Sequence, residues 1–164
     1  MPETREVPII AAMSTERLPR EIPPVWQVGA IGVMVALHFL WPVDVWIPRP
    51  WNYMGWAVIV VSLALQVSNL QRFRRVGTGL RPFDPVSQLV VEGAYRWSRN
   101  PMYVGLVVTT VGVAVCLGTV TPWFVPPLLW LVLDRRFVRR EERFLRQEIG
   151  AEYEIYCQSV RRWL

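Results

Sequence analysis

Four apolar blocks of roughly bilayer scale, with arginine at several of their ends, constrain this chain most. They cover about residues 25–46, 51–70, 101–120 and 123–133. A hydrocarbon core of ~30 Å takes ~20 helical residues to cross and offers no water to unpaired backbone groups. The blocks therefore predict an all-α integral membrane protein with about four transmembrane helices. Composition agrees: 52% of the residues are hydrophobic, and nine Trp suit the aromatic belts of a membrane interface. The 164 residues suffice for one domain.

Charge orients the blocks. The net charge of +5 comes from arginine, for the chain holds no Lys. These Arg residues lie beside apolar blocks, which points to anionic headgroups and the positive-inside rule rather than to nucleic acid. Arg72, Arg74 and Arg75 close the second block and place that end in the cytosol. Arg81, Arg96 and Arg99 keep the following loop there, as does the Arg-rich tail. Residues 1–24 are polar, hold several prolines and lack a signal-peptide pattern, so they read as a cytosolic, partly disordered lead-in. Both termini are then cytosolic, with a single membrane domain over 25–164. The Lys-free, Val- and Ala-rich composition points to a bacterial plasma membrane.

Within the blocks, Gly29, Gly32 and Ala36, and later Gly105, Gly112 and Ala114, let helices approach closely. His38, the only histidine, sits mid-block. An intramembrane His is a functional candidate, but a hydrogen-bonded polar group inside the bundle is the commoner role. Pro101 fits a first helical turn, and the uncharged turn at 118–122 makes the third and fourth helices a tight hairpin. The fourth block contains Pro126 and Pro127 and is too short to cross alone. Phe137, Val138, Phe144, Leu145 and Ile149 continue its helical spacing. One long helix is expected, its lower half leaving the membrane to lie over the cytosolic loop. Gly150 would stop it, and Tyr153, Tyr156, Val160 and Trp163 would line a last short helix. The loop at 76–99 is broken by Gly77, Gly79, Pro82, Pro85 and Gly93. A loop that long in a small membrane protein is usually functional.

Two polar clusters stand at the membrane exits. One is Arg99, Asn100, Pro101, Met102, Tyr103, Val104 and Gly105; the other is Arg139, Arg140, Glu141, Glu142 and Arg143. Taken singly these residues are ordinary: a snorkelling Arg, a capping Asn, a Pro at a helix start. Glu142 with Arg146 is an i,i+4 pair worth a few tenths of a kcal/mol. Adjacent helical residues lie ~100° apart, so Glu141 shares the Phe137 and Phe144 side while Glu142 points elsewhere. A carboxylate on an apolar side needs a partner. The two clusters are expected to face each other at one membrane surface and to hold a charged cofactor. Cys116 and Cys157 fall on different levels, so no disulfide is expected, and no metal-binding spacing exists. There is no P-loop, GxGxxG, HExxH or Ser/His/Asp set.

Taken in order, Gly93-Ala94-Tyr95-Arg96, the 99–105 cluster, Glu141-Glu142-Arg143-Phe144-Leu145, and Gly150-Ala151-Glu152-Tyr153 with Tyr156 resemble the isoprenylcysteine carboxyl methyltransferase family and its bacterial relatives. Phospholipid N-methyltransferases are more distant kin. The resemblance covers about residues 77–164, the catalytic half it implies. It implies an integral membrane methyltransferase using S-adenosylmethionine, with a cofactor-binding loop before the third helix, the end of the fourth, and cytosolic C-terminal helices around the pocket. By similarity the cofactor contacts are Gln88, Leu89, Val90, Tyr95, Asn100, Pro101, Met102, Tyr103 and Glu141. Arg99 and Glu142 flank them and join the candidate set. The family often carries His where this chain has Asn100, and Asn cannot titrate near neutral pH. It also places a substrate-contacting Arg about one turn before the Glu, where this chain has Phe137; Arg136, Arg139 and Arg140 are candidates for that contact. The implied acceptor is lipophilic, an isoprenylcysteine-type carboxylate or a related lipid, with a phospholipid amine as the alternative. Two other classes compete: a small four-helix transporter, which would need a mid-membrane acid that is missing here, and a non-catalytic membrane scaffold.

Overall fold

The computed structural model describes residues 22–76 and 91–164, and the described residues are helical with no strand. Residues 1–21 of the lead-in and the loop piece carrying Gln88, Leu89 and Val90 lie outside them, while Pro23 and Pro24 already belong to the first helix. Helix α1 spans Pro23–Leu40, α2 Met54–Val76, α3 Pro101–Leu117, α4 Val125–Leu133, α5 Arg139–Ile149 and α6 Ala151–Ser159.

The first block is helical only to Leu40, six residues short of the expected end. Pro42 has no N–H to donate and disfavours helix at the residue before it. Residues 41–50 instead run along the α3–α4 turn. The N–H groups of Trp46 and Ile47 donate to Gly118 O at 2.7 and 2.9 Å, and Val120 N–H donates to Asp44 O at 3.1 Å. Gly118 takes the left-handed conformation (φ 72°) that ends α3. Thr121 Oγ1 donates to Trp41 O, a carbonyl left open just past the end of α1, and to Leu37 O, which also accepts the Trp41 N–H. His38 Nδ1 lies 2.9 Å from Thr119 Oγ1, the hydrogen-bonded role expected of it.

Two stretches, Pro23–Leu40 and Trp51–Gln71, are long and apolar enough to cross a membrane, and only 11% and 17% of them is buried inside the protein. A core helix of a soluble protein would be mostly buried. Here Val28, Val33 and Phe39 of α1 and Trp56, Val60 and Leu63 of α2 face outward, a surface suited to lipid. Apolar α3 has 17 residues and α4 nine. Among the described residues, two of the four expected crossings meet the length requirement unaided.

Helices α2 and α3 pack along their length. A Cβ at Gly55 would strike the backbone oxygen of Gly112 and the Sγ of Cys116, so the contact depends on the missing side chain. Next to it runs a polar seam. Ser62 Oγ donates to Gly105 O at 2.7 Å, and Gln66 Nε2 donates to Thr109 Oγ1 at 3.0 Å. Gly105 is small because the Gln66 side chain occupies the place of its Cβ. In an exposed helix Gly→Ala gains about 0.5–1 kcal/mol, whereas overpacking costs about 1–3 kcal/mol. Gly55→Ala is therefore expected to lower the thermal unfolding temperature in detergent. Gly29→Ala, whose Cβ would meet nothing within 4 Å, should leave it equal or higher.

Helix α4 continues into a wider turn at Asp134–Val138, a π-helical segment, and then into α5. The long helix expected from periodicity is present with this interruption. Gly150 (φ 67°) separates α5 from α6. Tyr153 and Tyr156 are buried as expected, but α6 ends at Ser159, so Val160 and Trp163 belong to a non-helical strap rather than to a helix face.

Candidate active site

The site forms where the loop before α3 meets the start of α5. Gly93 has φ 64°, allowing a single 3₁₀ turn over Gly93–Arg96 that buries Tyr95. The Tyr156 hydroxyl donates to Tyr95 O at 2.7 Å, tying this turn to α6. Pro101 starts α3 where its missing N–H costs nothing. Asn100 occupies the N-cap position without capping. Its Nδ2 donates to Arg162 O at 3.0 Å, and its own N–H goes to Ser98 Oγ. Arg99 N–H donates to Arg161 O at 2.9 Å. Residues 160–164 thus lie hydrogen-bonded along 98–100.

Tyr103, one turn into α3, joins the two polar clusters. Its hydroxyl donates to Glu141 Oε2 at 2.9 Å, and its ring stacks on Phe137 with centroids 6.4 Å apart. Phe137 and Glu141 are four residues apart and so share a helix face, which is why one side chain reaches both. Phe137 is fully buried and belongs to a core with Leu106, Leu129 and Leu133. That burial anchors the face carrying Glu141.

The neighbouring acid has a different environment. Glu142 is 2% exposed. It does not pair with Arg146, which binds Glu154 instead at 2.9 Å. Its two oxygens accept from Arg162 Nε at 3.0 Å each and from Arg162 Nη2 at 2.7 Å, with Arg99 Nη2 at 3.4 Å. Arg99 Nε is buried and has no hydrogen-bond partner among the described residues. Asp134, also buried, holds Arg139 Nε at 2.6 Å and Trp163 Nε1 at 3.1 Å. Arg136 lies over the Trp26 ring of α1, 5.2 Å from its centroid.

Burial raises the Glu141 carboxyl above its ordinary value of 4.5; the Tyr103 hydrogen bond opposes this and the Glu142 charge adds to it. Burial likewise raises the Tyr95 phenol well above its usual range, reinforced by the charge of Glu141 and by Tyr156. Tyr95, Tyr103 and Glu141 therefore form one electrostatic neighbourhood. Tyr156 is pushed up to about 12, chiefly by burial.

Of the expected contacts, Tyr95, Tyr103 and Glu141 adjoin one another, Arg99 adjoins Glu142, and Asn100 bonds the strap beside them, while Pro101 and Met102 begin α3. Gln88, Leu89 and Val90 lie outside the described residues. Among the candidates for substrate contact, Arg139 is bound to Asp134 while Arg136 turns toward α1. Nothing in the sequence pattern marks Arg162 and Trp163 as partners of Glu142 and Asp134. No helical period links positions 20 and 29 residues apart across a turn.

Outward-facing apolar helices and a polar junction at one end of the bundle are those of a helical membrane protein. The chain belongs to the phospholipid methyltransferase family, whose sequence pattern matches residues 51–152. Two probable protein-S-isoprenylcysteine O-methyltransferases of Oryza sativa, from subspecies indica and japonica, are each 35% identical over 79 residues, 48% of this chain and 41% of theirs. An uncharacterized protein of Haemophilus influenzae is 35% identical over 63 residues, 38% of this chain and 100% of that protein. The chain thus spans less than half the length of the plant relatives it matches. In fold it is similar to the eukaryotic intramembrane Ras methyltransferase ICMT (isoprenylcysteine carboxyl methyltransferase). The TM-score is 0.58 at 20% identity, over 86% of this chain and 51% of that one.

Proposed function

We propose that the chain is an integral membrane methyltransferase that takes the methyl group of S-adenosylmethionine and passes it to a lipophilic acceptor. The observation that carries this reading is the Tyr103–Glu141 hydrogen bond, which joins the two polar clusters at the mouth of the bundle. The site suits the cofactor's charges. Glu141 accepts one hydrogen bond from Tyr103 and keeps lone pairs for an ammonium or ribose hydroxyls. Arg99 Nε, a buried donor without a partner among the described residues, suits a carboxylate. The Tyr95 and Tyr103 rings suit a sulfonium or an adenine. Asn100, Pro101 and Met102 shape the wall at the start of α3; Gln88, Leu89 and Val90, further contacts by resemblance, lie outside the described residues.

When bound, the cofactor would supply an activated methyl group for in-line displacement. The protein's part is to align donor and acceptor and to exclude water. Helices α1 and α4 flank Arg136, so a lipophilic acceptor reaches the site from the bilayer with Arg136 or Arg140 near its polar end. An isoprenylcysteine-type carboxylate needs no base, which suits a site where Asn100 cannot titrate. A phospholipid amine is the second reading, favoured by the family's description. The pocket faces the cytosol, residues 77–164 form the catalytic half, and both termini are cytosolic.

Purified protein in detergent, given methyl-labelled S-adenosylmethionine and a total lipid extract, is expected to yield one class of labelled lipophilic product. Glu141→Ala should abolish the transfer with folding intact. Absence of cofactor binding by the wild type would sink the reading.

A further inference from the structure

We infer that Arg162 is a positioning residue for the cofactor site, holding Glu142 so that Arg99 stays available to the cofactor's carboxylate. This rests on the reading above. Two guanidinium groups converge on one buried carboxylate, and they share it unequally. Arg162 takes both oxygens through three contacts of 2.7–3.0 Å, while Arg99 is left with one approach of 3.4 Å. The cluster carries one positive charge in excess, and the excess lies on the guanidinium whose Nε is buried and unpaired among the described residues. A buried donor of that kind is matched by an anion.

The strap that carries Arg162 is fixed at several points. Its backbone carbonyl accepts from Asn100 Nδ2 at 3.0 Å and Ser98 Oγ at 3.3 Å, and the neighbouring Arg161 carbonyl accepts from Arg99 N–H. Trp163 donates to Asp134 and packs against Trp130, 5.7 Å between centroids. The strap therefore bridges the start of α3 and the α4–α5 junction, whose relative placement sets the distance between Arg99 and Glu141. Without Arg162, Arg99 is the cation left in contact with a buried acid among the described residues. The cost of leaving that acid half-paired pulls Arg99 onto it and away from a ligand.

The test separates charge positioning from mere support. Wild type and variants in detergent are titrated with S-adenosylmethionine, with its decarboxylated form and with methylthioadenosine, and binding is read by calorimetry. Arg162→Ala is expected to weaken S-adenosylmethionine about tenfold and to leave the two carboxylate-free ligands unchanged. Arg162→Lys, a cation without the two-pronged fork, should recover part of the loss. Equal weakening of all three ligands, or of none, would overturn the inference. If Arg162→Ala unfolds, Arg162→Lys decides by the same ligand contrast. A wild type that binds none of the three fails the proposed function itself, a result distinct from either.

Discussion

Glu142→Ala is expected to destabilise the protein by about 3–5 kcal/mol, the cost of breaking a buried ion pair from one side. The reason is what stays behind. Arg162 loses three hydrogen-bonding contacts and Arg99 its ion pair with Glu142, and Arg99 is enclosed, with a side chain only 11% exposed. Two like charges then face each other across a gap that held their counterion. Arg146, on the same helix as Glu142, and Glu154 of α6 provide the comparison. That pair is about as short, 2.9 Å, but its side chains are 40% and 53% exposed. Water screens it, and such pairs contribute at most about 1 kcal/mol. Thermal unfolding in detergent should therefore show a fall on the order of ten degrees for Glu142→Ala and a few degrees at most for Glu154→Ala. Falls of similar size would mean that burial gives the Glu142 cluster no special weight. Glu142→Gln should lie between, since its amide oxygen still accepts from Arg162 but carries no charge.

The sequence made the meeting of Tyr103 with Glu141 legible for a local reason. Pro101 fixes where α3 starts, the Phe137 to Glu141 spacing fixes a helix face, and arginines at the block ends suggest one membrane side for both. Each is a short-range signal. The misreadings share the opposite character. The backbone of residues 41–46 pairs with the α3–α4 turn while Trp41, Val43, Val45 and Trp46 stay exposed, and composition does not distinguish that from a lipid-facing helix; only Pro42 signalled the break. The widened turn at Asp134–Val138 breaks the helical period by one residue, too little to register against Phe137 and Val138 on the apolar side. Adjacent Glu141 and Glu142 were separable in direction but not in fate. What decided the second was Arg162, brought in by the turn at Gly150 and a strap that no period describes.

Cofactor affinity is expected to fall on acidification through Glu141, and Glu141→Gln is expected to remove that dependence. The sign follows from the carboxyl's surroundings. In the free protein burial and the Glu142 charge hold its pKa above 4.5, with the Tyr103 hydrogen bond pulling the other way. Folding thus favours the protonated form. The stability this group contributes is full below 4.5 and is lost as pH rises through the raised value. An ammonium beside the carboxylate reverses the preference, so binding below the raised pKa must expel a proton. Affinity then drops by up to about tenfold per pH unit on the acid side. At neutral pH the charge-assisted contact is worth about 1.5–3 kcal/mol, so Glu141→Gln should weaken binding by about ten- to a hundredfold. It should also flatten the acid limb. Tyr103→Phe removes the hydrogen bond that lowers the carboxyl's pKa, so its acid limb should move to higher pH while its slope is kept. Calorimetric titration with S-adenosylmethionine from about pH 7 down to about pH 5, where the ligand's own amine stays mostly protonated, reads all three. A Glu141→Gln profile that kept the wild-type acid limb would assign the titration to another group and take the ammonium away from Glu141.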